Sequence, residues 1–147
     1  MLDALRYLHY HGVVHGDVKP QNIIIQPEQH TCALVDFGLA SVRPRNDSKT
    51  DGYTPVFTSP EALGDRPLLP ESDIYSLGIT MIYALGGDPR SRRVPKSTPP
   101  DVRDFISDMI VRDVLQRPHW DDVDLVQKMR QVRMKTFGRE HTNYKKV

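Results

Sequence analysis

The sequence predicts a mainly α-helical domain that carries one small β-hairpin, and three observations support this prediction. Apolar residues recur at helical spacing near the start, in residues 74–85 and in residues 102–110. Two short apolar runs joined by a polar turn predict the hairpin. The length of 147 residues suffices for one compact domain with its own core, but not for two ordinary domains.

The first helix is predicted at the start of the chain, where Leu2, Leu5 and Leu8 share one helical face. Gly12 ends this pattern, as a glycine at a helix C-terminus does because it accepts the left-handed conformation without strain. We therefore expect the helix to pack on a core through its leucines and to run directly into the loop that follows.

The hairpin is predicted from residues 22–26 and 32–35, which are rich in isoleucine, leucine and valine. The intervening residues 27–30 begin with a proline and are polar, which favours a turn. Cys32 is the single cysteine of the chain, and we interpret it as a small buried strand residue. The hairpin would bring the residue before its first strand and the residue after its second strand to the same end.

Three further helices are predicted in the second half of the chain. Ser72 and Asp73 offer an N-cap for residues 74–85, which are apolar nearly all round and are therefore expected to be buried. This helix is too short to span a bilayer, so a core helix is predicted. Residues 102–110 show apolar side chains at one-turn spacing, and residues 121–133 form the last predicted helix.

The composition argues against strongly charged partners. Lys and Arg total 20 against 19 Asp and Glu, which leaves a net charge of +1, so neither nucleic acid nor a membrane is expected as a partner. A lone cysteine cannot form an internal disulfide, and the chain does not open on a signal-like stretch. Both observations suit a reducing compartment, and we expect a cytoplasmic location.

Two motifs carry the chemistry, residues 15–22 and the aspartate with Phe37 and Gly38 after the hairpin. Phosphoryl transfer needs a carboxylate to orient the attacking hydroxyl, a cation near the transferred oxygens, and oxygen ligands for magnesium. Four side chains of these motifs supply such groups: Asp17, Lys19, Asn22 and Asp36.

The order and spacing of the two motifs resemble the catalytic loop and the magnesium loop of protein kinases. The resemblance implies that Asp17 is the base that accepts the proton of the substrate hydroxyl, and that Lys19 contacts the transferring phosphate of ATP. It also implies that Asn22 and Asp36 hold Mg²⁺. A lysine two residues after the aspartate is typical of serine/threonine kinases. The implied substrate is therefore a serine or threonine of a protein.

Further motifs resemble the same family. The polar residues 39–58 resemble the activation segment, in which Thr54 matches the threonine that hydrogen-bonds the catalytic aspartate and lysine. A Ser-Pro-Glu that ends at Glu61 stands for the usual Ala-Pro-Glu, and Arg117 matches the arginine that pairs with this glutamate. Asp73 matches the aspartate that braces the catalytic-loop backbone from the central helix.

The resemblance covers the larger, C-terminal lobe of the kinase domain, with the hairpin at the catalytic cleft. We expect residues 1–134 to form this lobe and residues 135–147 to be a basic, frayed tail. The family's small N-terminal lobe supplies a glycine-rich phosphate loop and a strand lysine, and neither motif is found in this sequence. Activity would then need an N-lobe from another segment or chain. In residues 86–98, the family's further docking helix is expected to be reduced or missing.

Gly16 departs from the family pattern, because most protein kinases carry an arginine at this position. Small-molecule phosphotransferases related to aminoglycoside and choline kinases also use His-Gly-Asp with an asparagine five residues after the aspartate. They lack an activation segment, so a protein substrate is favoured over a small molecule. A non-catalytic kinase-like binding module is the main alternative, since the phosphate loop and the strand lysine are absent from the sequence.

Overall fold

Five α-helices and a two-stranded antiparallel hairpin make up the computed structural model, which describes residues 1–38, 55–64 and 66–138. Thr54 and most of the stretch that resembles an activation segment lie outside these residues. The elements are α1 Leu2–Tyr10, β1 Ile23–Gln26, β2 Thr31–Leu34, α2 Pro60–Leu63, α3 Pro70–Ala84, α4 Pro100–Met109 and α5 Leu125–Phe137. About half of the described residues are helical, in agreement with the predicted mainly α-helical fold.

Helix α3 lies at the centre of the packing. Its residues from Ser72 to Thr80 are all buried, and α1, α4 and α5 contribute side chains to the same core cluster. Gly78 lets α4 approach closely, because a Cβ at this position would lie 2.6 Å from Cγ2 of Ile110. Each fully buried leucine or isoleucine side chain contributes about 1.5–3 kcal/mol through burial. The apolar pattern of residues 74–85 therefore predicts the central helix correctly.

The start of α3 differs from the prediction. Ser72 was expected at the cap, but the helix begins at Pro70, with Leu69 as the N-cap residue. Proline is favoured at the first helical position because its fixed φ suits the helix and its missing N–H loses no bond there. The Ser72 hydroxyl oxygen instead accepts the backbone N–H of Leu69 at 3.1 Å, so it stabilises the first turn from inside.

The hairpin projects away from the helical core. Its strands pair in the register Ile23 with Leu34 through Gln26 with Thr31, and only the Ile23–Leu34 end packs against the core cluster. Ile25 is 68% exposed. Cys32, its partner in the register, is also exposed, so the prediction of a buried Cys32 is wrong. An apolar strand pattern indicates which residues can be buried, but burial also requires a neighbouring element. No described element covers this end of the hairpin.

The second half of the chain follows the prediction in outline. Residues 86–98 contain no helix, as the sequence predicts. The last helix begins at Leu125 and not near residue 121, because the Asp124 side chain caps it by accepting the N–H of Gln127 at 3.1 Å. The helix continues to Phe137, into the stretch expected to be a tail.

Among the helices of the described ranges, none combines the length and the apolar composition that a bilayer-spanning segment requires.

Candidate active site

The loop after α1 gathers three of the predicted site residues around one carboxylate. The Asn22 amide nitrogen donates to the Asp17 backbone oxygen at 2.8 Å and to its Oδ2 at 3.0 Å. Lys19 Nζ lies 3.3 Å from the same Oδ2. The Asp17 and Lys19 side chains are 14% and 15% exposed, so solvent or a ligand can still reach them.

A short turn explains why Asn22 faces Asp17. Lys19 is fully extended, as the residue before a proline prefers, and Pro20–Asn22 then form one 3₁₀ turn. The N–H of Asn22 donates to the Lys19 oxygen at 3.0 Å and closes this turn. The Asn22 side chain is thereby directed back to Asp17.

Buried His15 ties this loop to the end of the hairpin. The backbone N–H of Asp17 donates to His15 Nδ1 at 3.1 Å, so the Nε2 proton is the one donated to the Val35 carbonyl at 2.9 Å. The His15 ring also meets the edge of Phe37, with 4.9 Å between ring centroids. The catalytic-loop motif and the Asp-Phe-Gly motif are therefore in direct contact.

Asp36 lies two residues after β2, close to Asn22. The N–H of Val35 donates to the backbone oxygen of Asn22 at 2.9 Å, so the residue before Asp36 contacts Asn22. Asp36 adopts a left-handed φ of 60°, and its Oδ1 accepts the N–H of Gly38 at 3.2 Å. Its carboxylate is exposed. The hairpin thus brings the two predicted metal ligands to one end.

The residue types at this end fit a hard cation. Asn22 uses its amide nitrogen on Asp17, so its amide oxygen takes no part in those bonds, and Asp36 keeps a carboxylate oxygen outside its own turn. Magnesium prefers such oxygens and usually keeps water or phosphate oxygens as its other ligands. Within the described residues, no group of three His, Cys, Asp or Glu could hold a metal. A cation here would therefore need ligands from water or from a bound phosphate.

Asp73 braces the loop from the central helix. Its Oδ2 accepts the backbone N–H of His15 at 2.8 Å, and its Oδ1 accepts that of Gly16 at 2.9 Å. Gly16 has a φ of 82°, a left-handed conformation that strains any residue with a Cβ. One buried carboxylate and one glycine therefore fix the backbone immediately before Asp17.

Two further residues, His9 and Trp120, complete this brace, and the sequence patterns do not predict this role for either. Trp120 Nε1 donates to His9 Nδ1 at 2.8 Å, and His9 Nε2 lies 2.8 Å from Asp73 Oδ2. An indole N–H only donates, so His9 carries its proton on Nε2 and donates it to Asp73. His9 lies four positions after Leu5 on the buried face of α1, and this spacing was the one available signal. The contact with Trp120 spans 111 positions, and no local pattern predicts it.

Glu61 and Arg117 form a second buried polar cluster. Arg117 Nη1 and Nη2 donate to the two Glu61 oxygens at 2.6 and 2.8 Å, a bidentate pair. The remaining N–H groups of Arg117 donate to the carbonyls of Val111, Glu71 and Arg112. All five guanidinium donors are therefore satisfied within the protein.

The surroundings of Glu61 favour its ionised form. Burial raises the pKa of Glu61, but the hydrogen bonds from Arg117 and Ser72 and the Arg117 charge outweigh burial and leave the pKa below its ordinary value. The Ser72 hydroxyl donates to Oε1 at 2.8 Å. The Arg117 guanidinium also lies 4.9 Å from the centre of the Tyr75 ring, within cation–π range.

His119 and Glu71 pair beside this cluster, with 2.6 Å between Nδ1 and Oε1. The hydrogen bond with Glu71 raises the pKa of His119, and this effect exceeds the opposing effect of burial. The pair joins the first turn of α3 to the loop before α5.

Comparison with known proteins identifies the family to which this chain belongs. The family model of the protein kinase domain matches residues 1–129, so the chain belongs to the protein kinase domain family. Similar proteins are named as serine/threonine kinases, so the predicted resemblance to the serine/threonine protein kinase family is confirmed.

Three relatives illustrate the similarity. Serine/threonine-protein kinase PAK mbt of Drosophila melanogaster is 33% identical over 137 residues, which cover 79% of this chain and 21% of that protein. Serine/threonine-protein kinase pakE of Dictyostelium discoideum is 30% identical over 139 residues, 80% of this chain and 15% of that protein. Serine/threonine-protein kinase PAK 5 of Rattus norvegicus is 33% identical over 138 residues, 80% and 19% respectively. The chain therefore spans only about a fifth of the length of these relatives.

Proposed function

We propose that this chain is the C-terminal-lobe portion of a serine/threonine protein kinase, which transfers the γ-phosphoryl group of ATP to a serine or threonine hydroxyl of a protein. One observation carries the proposal: the Asp17 carboxylate lies within hydrogen-bonding or ion-pairing distance of Asn22 and Lys19, while Asp36 follows at the same end of the hairpin. Family membership supports the reaction class.

In the proposed reaction, Asp17 accepts the proton of the attacking hydroxyl as its oxygen forms a bond to the γ-phosphorus. The bond from that phosphorus to the bridging oxygen of ADP breaks. Lys19 balances the negative charge of the transferring phosphoryl group. Asn22 and Asp36 would hold Mg²⁺, which neutralises charge on the phosphate oxygens.

The remaining assignments complete the proposal. We keep residues 1–134 as the proposed lobe and residues 135–147 as a basic extension, of which residues 135–137 continue α5. The assignment of Thr54 as a partner of Asp17 and Lys19 rests on the resemblance, because Thr54 lies outside the described residues. An N-lobe from another segment or chain supplies the phosphate loop and the strand lysine. We place the protein in the cytoplasm because its lone cysteine has no internal disulfide partner.

The test is a radiolabel transfer assay on the purified chain, alone and with a compatible N-lobe. We expect negligible transfer by the chain alone, because positioning and charge stabilisation provide most of the catalysis and the sequence contains neither the glycine-rich loop nor the strand lysine that hold the phosphates in protein kinases. Addition of the N-lobe should restore transfer. Asp17→Asn and Asp36→Asn should abolish that transfer, whereas Asp104→Asn, a change of an exposed carboxylate on α4, should leave it unchanged.

The second candidate is a non-catalytic binding module, and the missing phosphate-binding motifs favour it. It predicts that no N-lobe restores transfer while a protein ligand still binds. Robust transfer by the chain alone, lost in both Asp17→Asn and Asp36→Asn, would instead show a self-sufficient enzyme and would overturn the need for an N-lobe.

A further inference from the structure

A basic groove lies between the segment that leads into α2 and the loop that follows α3. It encloses about 440 Å³, and its lining includes Pro55 from the first segment and Tyr75 from α3. Three arginines also line it: Arg90, Arg92 and Arg112. The net charge of the whole chain is only +1, so three cations in one cavity are a local concentration of positive charge.

These three arginines, like Arg66, Arg103 and Arg130, form no ion pair with a residue that the structure describes. Arg6 and Arg117, in contrast, pair with carboxylates.

The adjacent carboxylates accept backbone N–H groups. Asp88 accepts the N–H of Arg90 at 3.0 Å, and Asp113 accepts the N–H of Leu115 at 3.0 Å. The hydrogen bond from Ser91 lowers the pKa of Asp88, and the charge of Arg90 lowers it further, so Asp88 offsets part of the Arg90 charge.

The loop that presents two of these arginines is tightly built. Asp88 and Arg93 exchange backbone hydrogen bonds of 2.9 and 3.1 Å, and Gly87 donates to the Ile82 oxygen at 2.9 Å. Between them, Arg92 has a left-handed φ of 58°, which a residue with a Cβ adopts only where the surroundings enforce it. The guanidinium groups therefore project from an ordered loop, which lowers the entropy cost of binding.

We propose that this groove binds an acidic segment of a polypeptide through carboxylate or phosphate side chains. Guanidinium groups match the planar geometry of these anions and bind them with paired hydrogen bonds. The exposed surface of Pro55 beside them suits the apolar atoms of a peptide better than a free ion. That this polypeptide is a kinase substrate rests on the proposed function, whereas the binding itself does not.

The test measures fluorescence polarisation of a labelled peptide with a run of glutamates on the purified chain, without ATP. A peptide with glutamines in place of the glutamates is the ligand control, and one with phosphoserines compares phosphate with carboxylate. Arg90→Gln, Arg112→Gln and Arg92→Asn remove the charges singly, and asparagine is chosen because it tolerates the left-handed backbone. Arg130→Gln is the matched control, since Arg130 is exposed on α5 and lies outside this groove.

Each groove variant should weaken binding of the glutamate peptide by up to about fivefold, the largest effect usual for the loss of one exposed ion pair. The glutamine peptide should bind much more weakly, and Arg130→Gln should bind like the parent. Equal binding of both peptides, unchanged binding by all three variants, or an equal loss in Arg130→Gln would overturn the proposal.

The transfer assay separates this proposal from the proposed function. An N-lobe-complemented chain that transfers phosphate without any preference for acidic peptides would overturn the groove alone. A chain that binds the glutamate peptide as described but never transfers phosphate would leave the groove standing and overturn the kinase function.

Discussion

The two polar clusters of this protein differ in how completely their side chains are paired. At Glu61 and Arg117 the side chains are 7% and 0% exposed, and every guanidinium donor has a protein acceptor. At the other cluster, the carboxylates of Asp17 and Asp36 keep contact with solvent. The first cluster has no free position for a ligand. The second cluster keeps carboxylate oxygens that a ligand could contact. The first cluster therefore stabilises the fold, whereas the second is a candidate ligand-binding site.

The largest effect on stability is expected from Arg117→Ala. Removal of one partner leaves the buried Glu61 carboxylate uncompensated, which typically costs about 3–5 kcal/mol. Denaturant unfolding should show this loss, and Arg130→Ala, an exposed change on α5, should not. Because the two side chains act as a unit, Glu61→Ala combined with Arg117→Ala should cost clearly less than the sum of the single variants. Additive costs would contradict the buried pair.

A smaller loss is expected from Trp120→Phe. The change leaves the buried Nδ1 of His9 without its donor, and an unsatisfied buried polar atom costs about 1–3 kcal/mol. Hydrogen exchange should also accelerate at the amides of His15 and Gly16, because Asp73 would lose its oriented neighbour. Tyr83→Phe, which alters an exposed ring on α3, provides the comparison. Unchanged exchange at both amides would show that Trp120 does not support the loop.

A weaker, pH-dependent effect is expected at the His119–Glu71 pair. In the unfolded chain His119 has its ordinary pKa of 6.5, and folding raises this pKa. The stabilisation is therefore complete below pH 6.5 and is lost as the pH rises through the higher pKa of the folded state. Unfolding followed across this range should show stability falling with pH in the parent. His119→Gln should remove that slope, whereas His11→Gln, at the exposed residue that follows α1, should retain it.

The smallest effect on stability is expected from Asp36→Asn, even though this change should abolish transfer in the complemented protein. Asparagine has nearly the same shape and tolerates the left-handed φ of 60° at this position. Exposed substitutions of this kind usually stay within about 0.5 kcal/mol. A large loss of stability in Asp36→Asn would remove the contrast between the two clusters.

Local patterns predict the elements better than their ends or their surroundings. The spacing of Leu2, Leu5 and Leu8 gives α1, and the apolar run after Asp73 gives the central helix. The start of α3 differs from the prediction because Pro70 takes the first helical position, so that Ser72 acts from within the first turn and not as the N-cap. Burial of Cys32 was wrong because it depends on what covers the hairpin, which the strand pattern does not contain.

The candidate site shows the same limit. Residues close in sequence, such as Asp17, Lys19 and Asn22, could be grouped by spacing alone. The roles given to them came from resemblance to a family, and they remain proposals. The contact of Trp120 with His9, which supports Asp73, could not be predicted because a contact across 111 positions leaves no local sequence pattern.

The Asp73 brace has a consequence for the order in which the protein can assemble. Ribosomes make His9, His15 and Gly16 early, but Asp73 and Trp120 emerge much later, and contacts of such high sequence separation form slowly. The loop before Asp17 therefore cannot acquire its bonds to Asp73 until that residue has been synthesised, and it gains the support of Trp120 through His9 only later. We expect the amides of His15 and Gly16 to gain protection at the same time as those of α5 during refolding, so that the candidate site matures with the last helix and not with the first.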